Sequence, residues 1–181
     1  TGFVYKLDQT PPSNPNQVTE TGGAENDQWK NTVSDPQFTW SGAADAYSGV
    51  DQYYIYWGTD PGGQTTVVST NPSYNPAAAP NGTWYLRAST QDVVGNRSED
   101  VTLFTFKHDG EPPENPTTFS DVSGGSENGV WQNDSSSPEF QWSAGSDALS
   151  GVEQYSVYWG PDSLGTSAET AGGESYTPAA A

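Results

Sequence analysis

Apolar and polar residues alternate with a period of two along much of this chain, and the alternating runs occur twice. Phe38 and Trp40 flank Thr39, and within Val50–Gly58 the residues Tyr53, Ile55 and Trp57 fall on one side of an extended chain. Residues two apart share a face of a strand, so each run predicts a half-buried β-strand. Thr83–Thr90 alternates again, with Trp84, Leu86 and Ala88 expected inward against Tyr85, Arg87 and Ser89 outward. Val101–Lys107 supplies a closing strand. No segment carries an apolar stripe of helical period.

The block Pro36–Gly58 returns as Pro138–Gly160, 102 positions on, with Phe, Trp, Asp, Ser-Gly-Val, Gln-Tyr and Tyr-Trp-Gly in the same places. Self-similarity at a fixed period is the mark of a repeat array, here with units of roughly 100 residues. The second copy also identifies the buried face. Tyr155, Val157 and Trp159 keep the character of Tyr53, Ile55 and Trp57, whereas Tyr54 becomes Ser156.

Between the strands lie turn signals. Asp45–Gly49, Pro61–Gly63 and Asp92–Ser98 are built from Asp, Ser, Asn, Pro and Gly, which bond to local backbone or tolerate positive φ. Thr65–Ser69 follows as an edge strand, and the polar stretch Gln17–Ser34, with Trp29 matched by Trp131, is expected to hold a first edge strand and a loop. Thr10–Pro15 and Glu111–Pro116 are matching proline-rich connectors, semi-rigid because proline fixes φ and keeps its neighbours extended.

Residues Thr1–Asp8 resemble a strand without a beginning. Phe3, Tyr5, Lys6 and Asp8 align with Phe104, Phe106, Lys107 and Asp109. The expected organisation is therefore 1–8 as the last strand of a preceding module, 9–109 as a complete module, and 110–181 as a second module lacking its last two strands. Two ways of completing that second module are open: a continuing chain, or strand Gly2–Lys6 donated by a neighbouring subunit.

Composition narrows the function classes. The chain has 181 residues and a net charge of -18, with 23 acidic residues against 5 basic ones. That balance argues against nucleic acid, whose phosphates demand a basic surface, and against direct contact with an anionic membrane. A hydrophobic fraction of 31% would suggest disorder, but 7 Trp, 10 Tyr and 6 Phe can supply a core. Cysteine is absent, so no disulfide or thiolate site is available. No apolar run reaches the length of a membrane span, and residues 1–20 lack a basic stretch followed by an apolar one, as in a mature segment or a fragment.

No enzyme is expected. His108 is the one histidine and sits beside a module boundary, and no nucleophile elbow occurs. Hard oxygen ligands at Asp45, Asp51, Asp92 and Asn96 suit calcium, but the same residues serve as turn caps, and no EF-hand loop is present. No catalytic, cofactor or metal site is therefore assigned. Trp29, Trp131, Tyr54 and Tyr56 are candidate sugar-stacking rings, and Asn81, Asn96 and Asn133 head Asn-x-Ser/Thr sequons.

Taken together, Phe-x-Trp, Asp-x-x-Ser-Gly-Val-x-x-Tyr-x-x-Tyr-Trp-Gly, Trp-Tyr-Leu-Arg, Asp-x-x-Gly-Asn-x-Ser and the Pro-Pro-x-Asn-Pro connector resemble bacterial immunoglobulin-like, fibronectin type III-like tandem repeats. Trp40 and Trp142 match that family's second-strand tryptophan, and Trp84–Asp92 its penultimate strand. The resemblance implies an all-β chain of tandem antiparallel sandwiches in a secreted or surface-anchored bacterial protein, without cofactor. It implies a rod, stalk or filament whose partners are neighbouring modules or identical subunits, or alternatively an adhesin that binds glycans.

Overall fold

The computed structural model describes residues 2–133, 137–167 and 169–179. Thr1, Ala181, where the second repeat is expected to stop, and Ser135 of the Asn133 sequon lie outside them. The chain divides into two compact units, Thr1–Glu111 and Pro112–Ala181. Among the described residues every regular element is a strand, and no helix is long and apolar enough to cross a membrane.

The first unit contains β1 (Gln17–Glu20), β2 (Trp29–Lys30), β3 (Phe38–Ser41), β4 (Val50–Gly58), β5 (Val67–Ser69), β6 (Ser73–Tyr74), β7 (Gly82–Asp92) and β8 (Val101–His108). They form two sheets, β1-β3-β6 and β2-β8-β7-β4-β5. The alternation read from sequence decides which faces meet. Phe38 and Trp40 point from the smaller sheet into a core shared with Ile55, Leu86, Phe104 and Phe106 of the larger one. Ring contacts span the gap: Phe38 lies 5.5 Å from Trp57 and 5.2 Å from Phe104, and Trp40 meets Tyr53 edge-on at 5.4 Å. This is a two-sheet sandwich, held by burial of roughly 1.5–3 kcal/mol per large apolar side chain.

Several expectations are corrected in detail. Gln17–Ser34 holds two strands rather than one, and β2 joins β8 in parallel, with Trp29 opposite Lys107; the antiparallel expectation fails at that pair. Ser89, expected outward, is fully buried, because Thr65 and Arg97 cover that side of β7. The expected edge strand at Thr65 starts at Val67, since the Thr65 amide donates to Asp100 Oδ2 at 3.0 Å instead of joining the ladder.

The first unit runs to Glu111, two residues past the expected module boundary. There the Gly110 amide donates to Asn81 Oδ1 at 2.9 Å, and the Glu111 amide donates to Asp109 Oδ1 at 3.2 Å. Residues 2–8 pair with no strand among the described residues, and Phe3 and Tyr5 are 91% and 71% exposed. The β8 edge that such a segment could extend is held by β2.

The second unit contains β9 (Phe119–Asp121), β10 (Phe140–Trp142), β11 (Tyr155–Val157), β12 (Glu169–Ala171) and β13 (Ser175–Tyr176), in sheets β13-β10-β9 and β11-β12. Its registers repeat those of the first. Phe38 opposes Tyr74 and Phe140 opposes Tyr176; Tyr53 opposes Ser69 and Tyr155 opposes Ala171. One difference matters. β4 is flanked by β5 and β7, whereas among the described residues β11 pairs with β12 alone.

Both units also use a tyrosine to close the turn that follows β4 or β11. Tyr56 Oη accepts from the Asp60 amide at 3.1 Å, and Tyr158 Oη accepts from the Asp162 amide at 3.3 Å. Each ring lies so close over a glycine, Gly63 or Gly165, that an added Cβ would fall 2.1 Å or 2.0 Å from ring carbon. Gly63→Ala is therefore expected to displace Tyr56 and cost about 1–3 kcal/mol. Urea unfolding reads the cost, and a variant as stable as the parent refutes the clasp.

Candidate functional site

Three loops meet at one corner of the first unit. Asp45 begins the turn before β4, and its Oδ1 accepts from the amides of Tyr47 at 2.9 Å and Gly49 at 2.8 Å. Gly49 has φ +89°, which an L side chain rarely adopts, so the turn closes around a glycine. Asp92 ends β7 in the same manner: its Oδ1 accepts from the amides of Val94 at 3.0 Å and Asn96 at 2.8 Å, and Asn96 Nδ2 donates to its Oδ2 at 2.7 Å. Asp8 completes the corner, with Oδ1 accepting from the Thr10 amide and Oδ2 from the Ser48 amide at 3.1 Å.

The carboxylates of Asp8, Asp45 and Asp92 place oxygens within 4.8 Å of one another. Sequence reasoning named Asp45, Asp92 and Asn96 here. It did not place Asp8, which was assigned to the strand of a preceding module; Asp51 is exposed and lies outside the trio. The signal for Asp8 was its match to Asp109 just before the proline-rich connector. A trio of hard oxygen donors is the arrangement among the described residues that can hold a divalent cation. Each carboxylate also has backbone amides as partners, so capping alone explains its position.

The electrostatics follow from those amides. Hydrogen bonds from Gly49 and Tyr47 hold the Asp45 carboxyl below its usual range. For Asp92, burial opposes ionisation, but the Asn96 side chain and amide outweigh it and the pKa falls. Asp121 in the second unit is lowered by the hydroxyls of Ser123 and Ser126. A carboxyl whose folded pKa lies below its unfolded one contributes stability that is complete above about pH 4 and is lost as pH falls through the folded value. Lowering the pH toward 4 also neutralises exposed acids in a chain of net charge -18 and relieves repulsion. The urea midpoint is thus expected to hold or rise from pH 7 to about 4 and to drop below it. A midpoint already declining between about pH 6 and 5 refutes this assignment.

The aromatic candidates separate clearly. Tyr56 is the hairpin clasp, and Tyr54 carries the Arg97 guanidinium 3.9 Å above its ring. Trp29 is half-buried with Lys107 Nζ 5.7 Å from its ring. Trp131 alone of the four is 100% exposed.

His108 ends β8, its ring stacked on Phe106 at 6.4 Å. It is half-buried. Of the sequons, Asn81 is exposed, whereas the Asn96 amide nitrogen is bound to Asp92 and to the Asp8 carbonyl. Asn133 is exposed.

No protein-family model and no curated protein matches this sequence. One solved structure similar to it is chitinase ChiA74 from Bacillus thuringiensis, with 24% identity and a TM-score of 0.43, over 77% of this chain and 18% of that one. The chain therefore spans less than a fifth of that chitinase's length. Likeness at this level is too slight to assign a fold type or an activity.

Proposed function

We propose that this chain is a non-catalytic structural segment of an extracellular or cell-surface bacterial protein, two immunoglobulin-like modules of a rod, stalk or filament. The observation that carries the reading is the repeat of strand register at the 102-residue period: Phe38 opposite Tyr74 and Phe140 opposite Tyr176, Tyr53 opposite Ser69 and Tyr155 opposite Ala171. A unit that recurs in both sequence and pairing suits linear repetition. Proline-rich connectors limit bending, and a strongly acidic surface keeps neighbours apart. Such modules join head to tail through a continuing chain or through strand donation.

Antibodies raised against the 181-residue chain test this on the cells that make it. Labelling of intact cells at a distance from the surface is expected; labelling only after permeabilisation overturns it. The fully exposed Trp131 favours a second reading, a glycan-binding adhesin module. A glycan array with signal that Trp131→Ala abolishes supports that alternative, and an array without signal removes it.

A further inference from the structure

Both arginines of this acidic chain, Arg87 and Arg97, line one open cavity of about 410 Å³ in the first unit. Gln64, Ser98, Glu99 and Asp100 complete its wall, and no aliphatic or aromatic residue lines it. The two guanidinium groups are held differently. Arg97 has Asp100 Oδ1 at 3.1 Å as its counter-charge and the Tyr54 ring 3.9 Å away. Its Nε and Nη2 donate to Ser89, Thr65 and Asp100, while Nη1 has no hydrogen-bond partner among the described residues.

Arg87 is half-buried, and Nη1 donates to the Gly63 carbonyl at 2.6 Å and Nη2 to the Asp100 carbonyl at 3.2 Å. These two carbonyls use only part of a guanidinium's donors, and Nε is buried without an acceptor. Lys30, Arg97 and Lys107 each face a carboxylate at between 2.6 and 3.1 Å; among the described residues Arg87 faces none. Taking a cation partly out of water is costly, and neutral carbonyls offset that cost only in part. In a chain of net charge -18 such a cation stands out, and it favours an incoming anion.

The lining selects among anions. A planar carboxylate matches the fork of an arginine. Glu99, exposed on the wall, repels a doubly charged phosphate more strongly than a single carboxylate. The cavity is roomier than a lone carboxylate needs, and its other side chains are hydrogen-bonding groups suited to hydroxyls. We propose that this cavity binds an acidic sugar of the uronate class. Its carboxylate sits on Arg87 and on Arg97 Nη1, and its hydroxyls bond to Gln64 and Glu99. The site uses residues of the first unit only and goes beyond the structural reading above, which stands if the site fails.

The experiment is a nuclear magnetic resonance titration of the 181-residue chain at low salt, following the Nε–H signals of its arginines. The probes are methyl glucuronoside, its uncharged methyl ester and acetate. A saturable shift at Arg87 is expected with the glucuronoside, and roughly tenfold or more weaker binding of the ester and of acetate. Arg87→Gln should weaken glucuronoside binding roughly tenfold or more, with the thermal midpoint checking that it folds. Glu99→Gln, which keeps an acceptor but removes the charge, should strengthen it roughly twofold or more. Glu99 is exposed, so this second variant decides the matter even if Arg87→Gln does not fold. No saturable shift at Arg87, an ester that binds as tightly as the acid, or an affinity that either folded variant leaves unchanged overturns the proposal. Acetate binding as tightly as the glucuronoside also overturns it, because the cavity would then take a bare anion.

Discussion

Phe38→Ala is expected to destabilise the first unit by about 3–5 kcal/mol, while the same change at the matching Phe140 costs about 1 kcal/mol. Phe38 is 1% exposed and touches rings from two strands of the opposing sheet, Trp57 of β4 and Phe104 of β8. Its removal leaves a cavity that cannot collapse, because both neighbours are fixed in a five-stranded sheet. Phe140 has Phe119 at 5.2 Å and Trp159 at 5.4 Å but, among the described residues, no third strand above it, and it is only half-buried. Hydrogen exchange separates the two: amides of β7 should lose roughly a hundred-fold or more protection in Phe38→Ala. Equal costs at the two sites would mean that Phe140 is packed as tightly as Phe38 and would refute this difference.

The strands that carry this difference were legible because alternation is a direct consequence of the pleat. β3, β4, β7 and β8 lie where Phe38–Trp40, Val50–Gly58, Thr83–Thr90 and Val101–Lys107 placed them, within the usual drift at strand ends. What sequence could not show was anything decided by residues far apart in the chain. β2 is two residues long, too short for a period, and its parallel partner lies about 78 positions away at Trp29–Lys107. Ser89 alternates as an outward residue, yet a loop from Thr65 and the Arg97 side chain close over it. Asp8 followed a strand-like run and so was grouped with it, while its carboxylate belongs to the corner of Asp45 and Asp92. The turn caps themselves were readable, because an Asx cap needs only its own next few residues.

Asp100→Ala is expected to cost about 2–3 kcal/mol, because it strips the acceptor from a polar layer on the outer face of the larger sheet. Asp100 Oδ1 accepts from Thr65 Oγ1 at 2.5 Å and from Arg97 Nη2 at 3.1 Å, and Oδ2 accepts from the Thr65 amide at 3.0 Å. Burial works against its charge, but the Thr65 hydroxyl and amide, Ser89 and Arg97 together hold its pKa below the ordinary value. Arg97 in turn donates from Nε to the buried Ser89 Oγ at 2.8 Å and from Nη2 to the Thr65 carbonyl at 3.0 Å. Without the carboxylate, two Thr65 donors lose their acceptor and the guanidinium loses its counter-charge. The Arg97 side chain is 36% exposed, so water recovers part of the loss and the cost stays below that of a fully buried pair. Asp100→Ala/Arg97→Met should therefore be less unstable than the sum of its single variants, with a coupling of about 1 kcal/mol or more. Additive single effects in urea unfolding would show that the layer is a set of independent surface contacts. It would then give β5 and β7 no common anchor at Thr65 and Ser89.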